Sequence, residues 1–513
     1  MRSSRLRAAA WGAVALLAVA ACGPTAQSGD SAAGATGDPV QGGTATLLTV
    51  GEPRTLDPAA MMNLAVLDAA LGNALYGTLL TADPVSGAIQ PSMGEMTTSD
   101  GGANWRLTLR PGLKFSDGTP LDAAAVKVNW DRIKDPKTGS AYLATAAAIE
   151  SSTVIDDRTL GITLVSPNAS YPSGIIIGAM NWIASPTALK TGQASVGAGP
   201  YLLDGWDRGS AVRLKRNPGY WDSPKPYLDT LTVKLVADGD QRLNTLISGG
   251  AQVALGANPK AAAKAKSAGA VVVQQQMNGG GILMLNLARA PFADPRAREA
   301  VSKAIDLDQL NLAALDGAGI PVKGLFGEQS PLHTDHQLHT YDPGRAQALF
   351  DELAAEGKPL RFTMVVEPTR ASEVEAMQAQ FSSYRNVTAE VRVQDAAANV
   401  QTMLSKDYDA LYSGNTFVDP ETSLWSFFHG SSPFNSIGLN DPDVNKGLDL
   451  GRTATELAER KRGYDLVQTR FEQLNPVVFT VRLDNVVLTS KTVGGVRLYG
   501  FGSLLVQDLW VRR

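Results

Sequence analysis

The chain has 513 residues, of which 44% are hydrophobic and 19% charged, and its formal net charge is −4 at pH 7. This length allows two or three domains with large cores, and the composition is that of a globular protein. The acidic balance argues against nucleic acid as a partner, because binding to phosphates requires a basic surface.

Residues 1–21 have the pattern of a secretory signal peptide. Three arginines stand within the first seven residues, and an apolar run from Ala8 to Ala21 follows. The run is shorter than the roughly 20 residues that cross a bilayer. The end of this segment, Val19-Ala-Ala-Cys22, resembles the bacterial lipobox, in which the cysteine is lipid-modified and becomes the first residue of the mature protein. The alternative is an ordinary secretory signal with an incidental cysteine.

Cys22 is the only cysteine of the chain, so lipidation would leave no disulfide to stabilise the fold. Residues 22–41 are interpreted as the lipidated cysteine and a flexible tether, because they are rich in Gly, Ala, Ser, Thr and Asp. Acyl chains on Cys22 would anchor the protein to the outer face of the cell membrane. Removing the three arginines of residues 1–21 takes the net charge from −4 to −7. No later apolar run is long enough for a second membrane pass.

Short strands and helices are predicted through the first half of the body. Thr44–Val50 is strand-like, and Leu64–Leu80 is helix-like. Alternating apolar residues predict a half-buried strand over Trp105–Leu109. Thr119 is predicted to cap a helix with Pro120 at its first position. The buried face of that helix would carry Val126, Trp130 and Ile133.

The second half has the clearer pattern. Asp294-Pro295 and Asp342-Pro343 each predict a helix start, and Gly357 predicts the end of the second helix. The segment 360–412 alternates strand, helix, strand, helix, strand, which predicts parallel strands with crossover helices. Thr453 and Glu456 predict a capping box, and Val477–Leu483 predicts a further strand.

Several motifs together resemble the family 5 extracellular solute-binding proteins, the dipeptide and oligopeptide receptors of ABC importers. They occur in the family's order between about residues 42 and 483. The matching stretches are Glu52-Pro-Arg-Thr-Leu-Asp-Pro58, Leu75 to Pro91, Leu109-Arg-Pro-Gly-Leu-Lys-Phe-Ser-Asp-Gly-Thr-Pro120, Gly199-Pro-Tyr201 with Arg216-Asn-Pro-Gly-Tyr-Trp221, Pro291-Phe-Ala-Asp-Pro-Arg-Ala-Arg298 and Ala304-Ile-Asp306.

The resemblance implies an α/β fold of the two-lobed periplasmic-binding-protein type (type II, cluster C) with an extra domain. It also implies the domain limits. Lobe I would comprise 42–64, 195–275 and 484–513, the extra domain 65–194, and lobe II 276–483.

The resemblance also implies what the protein does. It would be a monomeric, lipid-anchored, extracytoplasmic protein that captures a short peptide or peptide-like solute and delivers it to the transmembrane subunits of an ABC permease. A non-peptide solute (a glycoconjugate, a modified small molecule or a metal chelate) is the alternative. Closure of the lobes on the ligand would be a population shift. The chain has no Gly-x-x-x-x-Gly-Lys-Ser/Thr loop, so a separate subunit must hydrolyse ATP.

One departure from the family concerns the ligand's amino group. In peptide-binding members, an Asp four residues before the proline of an acidic-Pro pair holds that group. Here the pair is Asp419-Pro420, and Thr416, beside Asn415, stands in the position of the anchor. This puts a free peptide in doubt as the substrate without affecting the fold.

The binding cleft can be placed independently, because ligands of open parallel sheets bind beyond the carboxyl ends of the strands. Three loops follow predicted strands there, Gly51–Asp57, Glu367–Arg370 and Ser413–Pro420. Their side chains suit a ligand with polar ends and an apolar body. The predicted ligand-binding residues are Glu52, Arg54, Arg370, Asn415, Thr416, Phe417, Asp419 and Trp425. The alternatives are solvated surface charges and, for the two aromatic residues, core packing.

Other chemistry has weaker support. His333, His336 and His339 are spaced by three, and imidazole suits zinc or nickel, but one surface loop need not bring them together. The sequence has no nucleophile elbow, no His-Glu-x-x-His and no Cys-x-x-Cys, so an enzyme has no residues to assign. Neither a catalytic residue nor a cofactor is expected. A purely structural lipoprotein would not need a two-lobed body with polar loops at one cleft.

Overall fold

A computed structural model describes residues 35–512. The predicted signal peptide, Cys22 and most of the predicted tether lie outside the described residues. The elements up to residue 190 are β1 (Thr44–Thr49), α1 (Ala69–Tyr76), β2 (Leu80–Ala82), β3 (Ile89–Pro91), β4 (Gly94–Thr98), β5 (Asn104–Leu109), α2 (Ala123–Lys134), α3 (Leu143–Ala147), β6 (Ile149–Asp156), β7 (Thr159–Leu164), α4 (Tyr171–Ile176) and α5 (Pro186–Lys190).

The middle of the chain contains both strands and helices. These elements are β8 (Tyr201–Asp207), β9 (Ala211–Arg216), β10 (Thr230–Leu235), α6 (Gly239–Ile247), β11 (Val253–Leu255), α7 (Pro259–Ser267), β12 (Val271–Gln275), β13 (Asn278–Leu285), α8 (Pro295–Ala304) and α9 (Leu307–Leu315).

The last part of the chain is helix-rich before it returns to short strands. Its elements are α10 (Pro343–Ala355), β14 (Leu360–Val366), α11 (Ala371–Phe381), β15 (Val387–Val393), α12 (Ala396–Ser405), β16 (Ala410–Phe417), α13 (Pro420–Phe428), α14 (Pro442–Thr453), α15 (Leu457–Leu474), β17 (Val477–Phe479), β18 (Asn485–Thr489), β19 (Val493–Gly494), β20 (Leu498–Tyr499), β21 (Ser503–Leu504) and β22 (Trp510–Val511).

The first lobe is built on a seven-stranded sheet with the order β12-β18-β11-β1-β10-β9-β8. Its central strand β1 pairs in parallel with β10 and with β11. Leu47 and Leu48 are both fully buried and belong to two different apolar clusters. Because successive side chains of a strand point to opposite faces, both faces of this sheet are covered.

The second lobe is built on a five-stranded sheet with the order β15-β14-β16-β13-β17. Strand β14 pairs in parallel with β15 and with β16, as the alternating pattern over 360–412 predicts. Leu283 and Met284 of β13 lie in separate apolar clusters on the two faces. The carboxyl ends of β14 and β16 therefore lie at the same edge of a sheet that is buried on both faces.

The extra domain is built on a four-stranded antiparallel sheet with the order β4-β5-β7-β6. Helix α2 packs against this sheet through Val126, Trp130 and Ile133, which are buried as predicted. The fold is thus α/β and two-lobed, with an extra domain. No helix within residues 35–512 is both long and apolar enough to cross a bilayer.

The predicted helix start at Thr119-Pro120 is wrong. Helix α2 begins at Ala123, and Asp122 is its N-cap. Leu121 N donates a hydrogen bond to Leu113 O at 3.1 Å, which holds the preceding segment extended. A non-local backbone bond has therefore overridden a favourable local start signal.

The predicted capping box at Thr453 and Glu456 is also wrong. Thr453 is the last residue of α14, and its hydroxyl donates to Asp449 O at 2.8 Å. Glu456 does precede α15, but its side chain makes no capping bond. By contrast, the Asp294 and Asp342 caps and the helix end near Gly357, which has φ +77°, are confirmed.

Three predicted element limits differ from the structure. Helix α1 occupies only Ala69–Tyr76 of the predicted segment, and β17 only Val477–Phe479. Strand β16 is longer than predicted and includes Ser413–Phe417, which sequence patterning assigns to a loop. The extension arises because these residues pair with Asn278–Ile282 of β13, a partner that is distant in sequence.

Candidate functional site

A cavity of about 900 Å³ lies between the two lobes. The first lobe contributes the ends of β11 and β18 and the start of α7, and the second contributes residues after α9, after β14 and along β16. The cavity is lined by side chains of both charges. They are Lys260, Arg370 and Arg482, and Glu367, Glu373 and Asp484.

Arg370 lies at the carboxyl end of β14, in a short turn of 3-10 helix over Pro368–Arg370. Its Nε is 3.4 Å from Glu367 Oε1, and its side chain is 23% exposed. A Cβ atom at Gly414 would lie 3.4 Å from Arg370 Nη2. The guanidinium therefore lies beside β16 at the edge of the cavity.

Arg482 is held by backbone oxygens. It donates to Gly279 O at 2.8 Å, Leu325 O at 2.9 Å and Gly324 O at 2.6 Å. Burial lowers the pKa of Arg482 to about 10, because the charged form loses hydration. The side chain is still a cation at neutral pH. Its hydrogen bonds connect the start of β13 to the segment at Gly324 and Leu325.

Asp484 lies two residues beyond Arg482, between β17 and β18. Its carboxylate accepts hydrogen bonds from Met277 N at 2.9 Å and from Gln274 Nε2 at 2.6 Å. Burial raises the pKa of Asp484 above its ordinary value of 3.8, and these two hydrogen bonds and nearby Arg482 oppose the shift. Asp484 thus joins β12 of the first lobe to the segment that returns from the second.

A smaller chamber of about 350 Å³ adjoins the main cavity. Both are lined by Ala65, Val66, Gly414, Thr416 and Asn485. Ser423 and Phe427 of α13 and Phe501 of the first lobe complete the smaller chamber with Leu64 and Asn415. Among the described residues, none that lines this chamber is charged.

Asn415 is the unusual residue of the smaller chamber. It is 2% exposed, and neither its Nδ2 nor its Oδ1 has a hydrogen-bond partner within residues 35–512. Buried polar side chains are nearly always paired, since an unpaired group costs about 1–3 kcal/mol. Asn415 therefore has the properties of a side chain whose partner is a ligand.

The cleft brings together three of the predicted site residues. Arg370 lines the main cavity, Asn415 lines the smaller chamber, and Thr416 lines both. Alternation along β16 places Asn415 and Thr416 on opposite faces of the strand. Their assignment as ligand-binding residues stays a prediction.

Glu52 and Arg54 lie in the loop after β1, away from both chambers. Glu52 accepts hydrogen bonds from Trp206 Nε1 at 2.8 Å and Gly209 N at 2.9 Å. Arg54 is exposed, and its backbone oxygen accepts from Arg208 at 3.2 Å. These contacts tie the loop to the β8–β9 hairpin.

Phe417, Asp419 and Trp425 also have partners of their own. Phe417 is fully buried in the core of the second lobe. Asp419 caps α13 and accepts two hydrogen bonds from Arg460, at 3.0 and 2.8 Å. Trp425 stacks on His429 at 4.5 Å between ring centroids. None of the three is among the lining residues of the two chambers, and their ligand-binding role stays a prediction.

Sequence reasoning missed the other charged groups of the cleft. Glu373 stands in the first turn of α11 and is 7% exposed, and Ser372 Oγ donates to its carboxylate at 3.0 Å. Arg482 and Asp484 follow β17 in a segment that was predicted to be strand up to residue 483. A buried charge beside a turn is the signal that could have identified them, but burial is visible only once the lobes are assembled.

The three histidines of one loop do not converge. His333 Nδ1 lies 3.3 Å from Phe326 O, and His339 Nε2 lies 2.7 Å from Ile305 O. His336 lies 3.9 Å from Glu472. Within the described part of the chain, no group of three or more His, Cys, Asp or Glu residues could hold a metal ion.

Comparison with known families gives one match across most of the chain. The model described as "Bacterial extracellular solute-binding proteins, family 5 Middle" matches residues 88–435. This segment includes the extra-domain sheet and all of the second-lobe sheet except β17.

Individual proteins agree with this match. The glutathione-binding protein GsiB of Shigella boydii serotype 4 is 28% identical over 421 residues, which are 78% of this chain and 81% of that protein. The binding protein AgaA from A. tumefaciens R10, solved with agropinic acid, is 24% identical, with a TM-score of 0.77 over 92% of this chain and 99% of AgaA. The oligopeptide-binding protein AppA from Bacillus subtilis, solved with a nonapeptide, is 18% identical, with a TM-score of 0.75 over 93% of this chain and 100% of AppA.

Proposed function

Because the chain belongs to the family 5 bacterial extracellular solute-binding proteins, we propose that it captures a small solute, most simply a short peptide or peptide-like molecule, and delivers it to an ABC import permease. A lipid on Cys22 holds it at the outer face of the cell membrane in this account, and residues 23–41 form the tether. It acts as a monomeric receptor rather than as an enzyme, and the permease complex supplies the ATPase.

The observation that carries the proposal is the main cavity, which has three cationic and three anionic side chains on its walls. A solute with an ammonium and a carboxylate can find an opposite charge for each end there. Pairing matters because a buried ion without a partner is costly. The volume of about 900 Å³ is in the range of small-molecule binding sites.

The lobes are proposed to close on the solute. In this structure they are in contact across the cleft, because Lys260 Nζ in α7 lies 2.9 Å from Asp316 after α9. Solute that touches both lobes favours the closed state by its extra contacts, and this state is the one a permease would recognise. In this proposal lobe I comprises 42–64, 195–275 and 484–513, the extra domain 65–194, and lobe II 276–483.

We favour a peptide-like solute as the ligand class, because GsiB is named for glutathione and AppA was solved with a nonapeptide. The alternative is a non-peptide solute, favoured by Thr416 in the position of the family's amine-binding aspartate and by the agropinic acid bound to AgaA. A solute of either class would bind in the same cleft.

Native mass spectrometry of residues 23–513 as purified, paired with a denaturing run, tests the proposal. A retained solute adds mass that disappears on denaturation, and its fragmentation identifies the class. Peptide fragments support the preferred class, whereas a sugar-containing or metal-containing mass supports the alternative. If no extra mass is found, a melting-shift screen of short peptides and other small solutes follows, and failure of every compound contradicts the proposal.

Arg370→Ala gives the matched test of the site. The variant should lose the retained solute, whereas Arg361→Ala should keep it, because Arg361 is exposed near the start of β14 and lines neither chamber. Equal retention by both variants would contradict the placement of the solute in this cleft.

A further inference from the structure

The two chambers of the cleft differ sharply in charge. Six ionisable side chains line the main cavity, but within the described chain none lines the smaller chamber. The smaller chamber is bounded by Leu64, Val66, Phe427 and Phe501 together with a few neutral polar groups. An ammonium or carboxylate placed there would lose its hydration and gain no opposite charge. The neutral end of an asymmetric solute is therefore the end that fits.

Asn415 defines which neutral group fits. On β16 it shares a face with the buried Phe417, on the side of α13, where Ser423 and Phe427 line the same chamber. Its buried amide nitrogen is a donor and its buried amide oxygen an acceptor, and both lack partners among the described residues. An ammonium could satisfy only the oxygen, and a carboxylate only the nitrogen.

A primary carboxamide satisfies both atoms at once. It presents an N–H donor and a C=O acceptor along one edge, so that two parallel hydrogen bonds can form with the amide of Asn415. Its planar shape also suits a chamber bounded by two phenylalanines. An ammonium or a carboxylate in this position would leave one of the two polar atoms of Asn415 buried and unpaired.

We propose that the smaller chamber is a carboxamide subsite, in which Asn415 pairs with a neutral amide of the solute while the solute's ionised groups stay in the main cavity. The inference rests on the proposed solute-binding function and specifies its substrate class. The solute is a small zwitterion that carries a carboxamide side group. Asn415 contacts it directly and discriminates against charged analogues.

Three dipeptides that differ only in one side chain test the subsite. Alanyl-glutamine carries a carboxamide, alanyl-glutamate carries a carboxylate, and alanyl-ornithine carries an ammonium. All three keep the same zwitterionic backbone for the main cavity. Isothermal titration calorimetry with the mature-length protein should give roughly tenfold or more tighter binding for alanyl-glutamine than for the other two.

Two substitutions at Asn415 and one control complete the test. Asn415→Leu removes the donor and the acceptor and should abolish the preference for alanyl-glutamine. Asn415→Asp keeps the shape but is an acceptor and an anion, so it should transfer the preference to alanyl-ornithine. Asn244→Asp is the matched control, because Asn244 is exposed on α6 and lines neither chamber of the cleft. It should bind as the unmodified protein does.

The outcomes separate the subsite from the function. Preference for alanyl-glutamine that Asn415→Asp transfers to alanyl-ornithine supports the subsite. Equal binding of the three dipeptides, or a preference that neither substitution changes, overturns the subsite and leaves the solute-binding function intact. Failure of all three dipeptides to bind at about 1 mM, a concentration that detects even weak binding, overturns the subsite. The solute-binding function itself fails only if the retained-mass and screening experiments also find nothing.

Discussion

Arg370 and Glu52 are two charged residues of the predicted site, and the structure gives them different surroundings. Arg370 faces the main cavity, whereas Glu52 accepts two hydrogen bonds from the β8–β9 hairpin. Arg370→Ala should therefore weaken solute binding by roughly tenfold or more and change the melting temperature of the empty protein little, since a hydrogen bond to a charged group contributes about 1.5–3 kcal/mol.

Glu52→Ala should show the opposite behaviour. It leaves Trp206 Nε1 and Gly209 N without their acceptor, so the free energy of unfolding should fall by about 1 kcal/mol or more. Solute affinity should change little. Calorimetry of the empty and loaded forms separates the two effects, and a binding defect in Glu52→Ala with unchanged stability would return Glu52 to the site.

Asp484 should give the protein a pH-dependent stability. Burial raises its pKa above 3.8 in the folded state, so the folded state binds its proton more tightly than the unfolded state does. The contribution of Asp484 to stability is therefore greatest below pH 3.8 and is lost as the pH rises through the folded-state pKa. Asp484→Asn should be more stable than the unmodified protein at pH 7, and the difference should shrink as the pH falls toward 3.8.

Urea unfolding of both proteins, measured at intervals of about one pH unit between pH 4 and pH 7, checks this. For a single carboxyl group, each pH unit can change the free energy of unfolding by at most about 1.4 kcal/mol. Solute is left out of these measurements, because Asp484 also lines the main cavity and bound solute would change its surroundings. A stability difference that does not vary with pH would show that the carboxylate's hydrogen bonds cancel its desolvation, and a difference that grows as the pH falls would show that the hydrogen bonds dominate.

At the scale of the elements, the contact between α7 and the end of α9 connects the two lobes. Lys260 and Asp316 are 43% and 74% exposed, so their ion pair should contribute only about 0–1 kcal/mol to closure. Asp316 lines neither chamber of the cleft, which makes it the better residue to change. Asp316→Asn should weaken solute binding by about twofold to fivefold at low salt, with a smaller effect at high salt.

The control for this pair is Asp308→Asn. Asp308 is exposed in the first turn of the same helix, and no ion pair within residues 35–512 involves it. It should bind solute with unchanged affinity at both salt concentrations. An equal loss of affinity in the two variants would show that the weaker binding comes from the net charge of the lobe and not from the ion pair between Lys260 and Asp316.

Elements whose signals are local could be predicted from the sequence. The alternating segment 360–412 forms the predicted parallel strands, and Asp294 and Asp342 cap the predicted helices. The predicted cap at Thr119 fails because a backbone bond from Leu121 to Leu113 holds that segment extended, and the cap at Thr453 fails because Thr453 is still part of α14, where its hydroxyl bonds to Asp449 O.

The site was predicted less completely than the fold. The rule that ligands lie beyond parallel strands identifies Arg370, Asn415 and Thr416, because β14 and β16 do end at the cleft. It cannot identify Arg482 and Asp484, which reach the cavity from a connection between the lobes. Nor can a sequence show that the Asn415 amide lacks a partner, since pairing depends on the assembled neighbours.

For the whole molecule, the proposed lipid on Cys22 sets where the receptor works. Cys22→Ala in the full chain should prevent lipidation and release the protein from membranes, because the acyl chains provide the anchor. Detergent-phase partitioning and intact mass of the two proteins check this. Partition of Cys22→Ala into the detergent phase, or an unmodified mass for the parent protein, would contradict the lipobox interpretation.

The central claim is that one solute is held between the two lobes by the charged main cavity and the neutral smaller chamber. A crystal structure of the protein with its retained or screened solute tests this most directly. We predict solute density that spans both chambers, with an ionised group beside Arg370 and a neutral group beside Asn415, in contact with Asn485 of the first lobe. Solute density outside the cleft, or contact with only one lobe, would contradict the account.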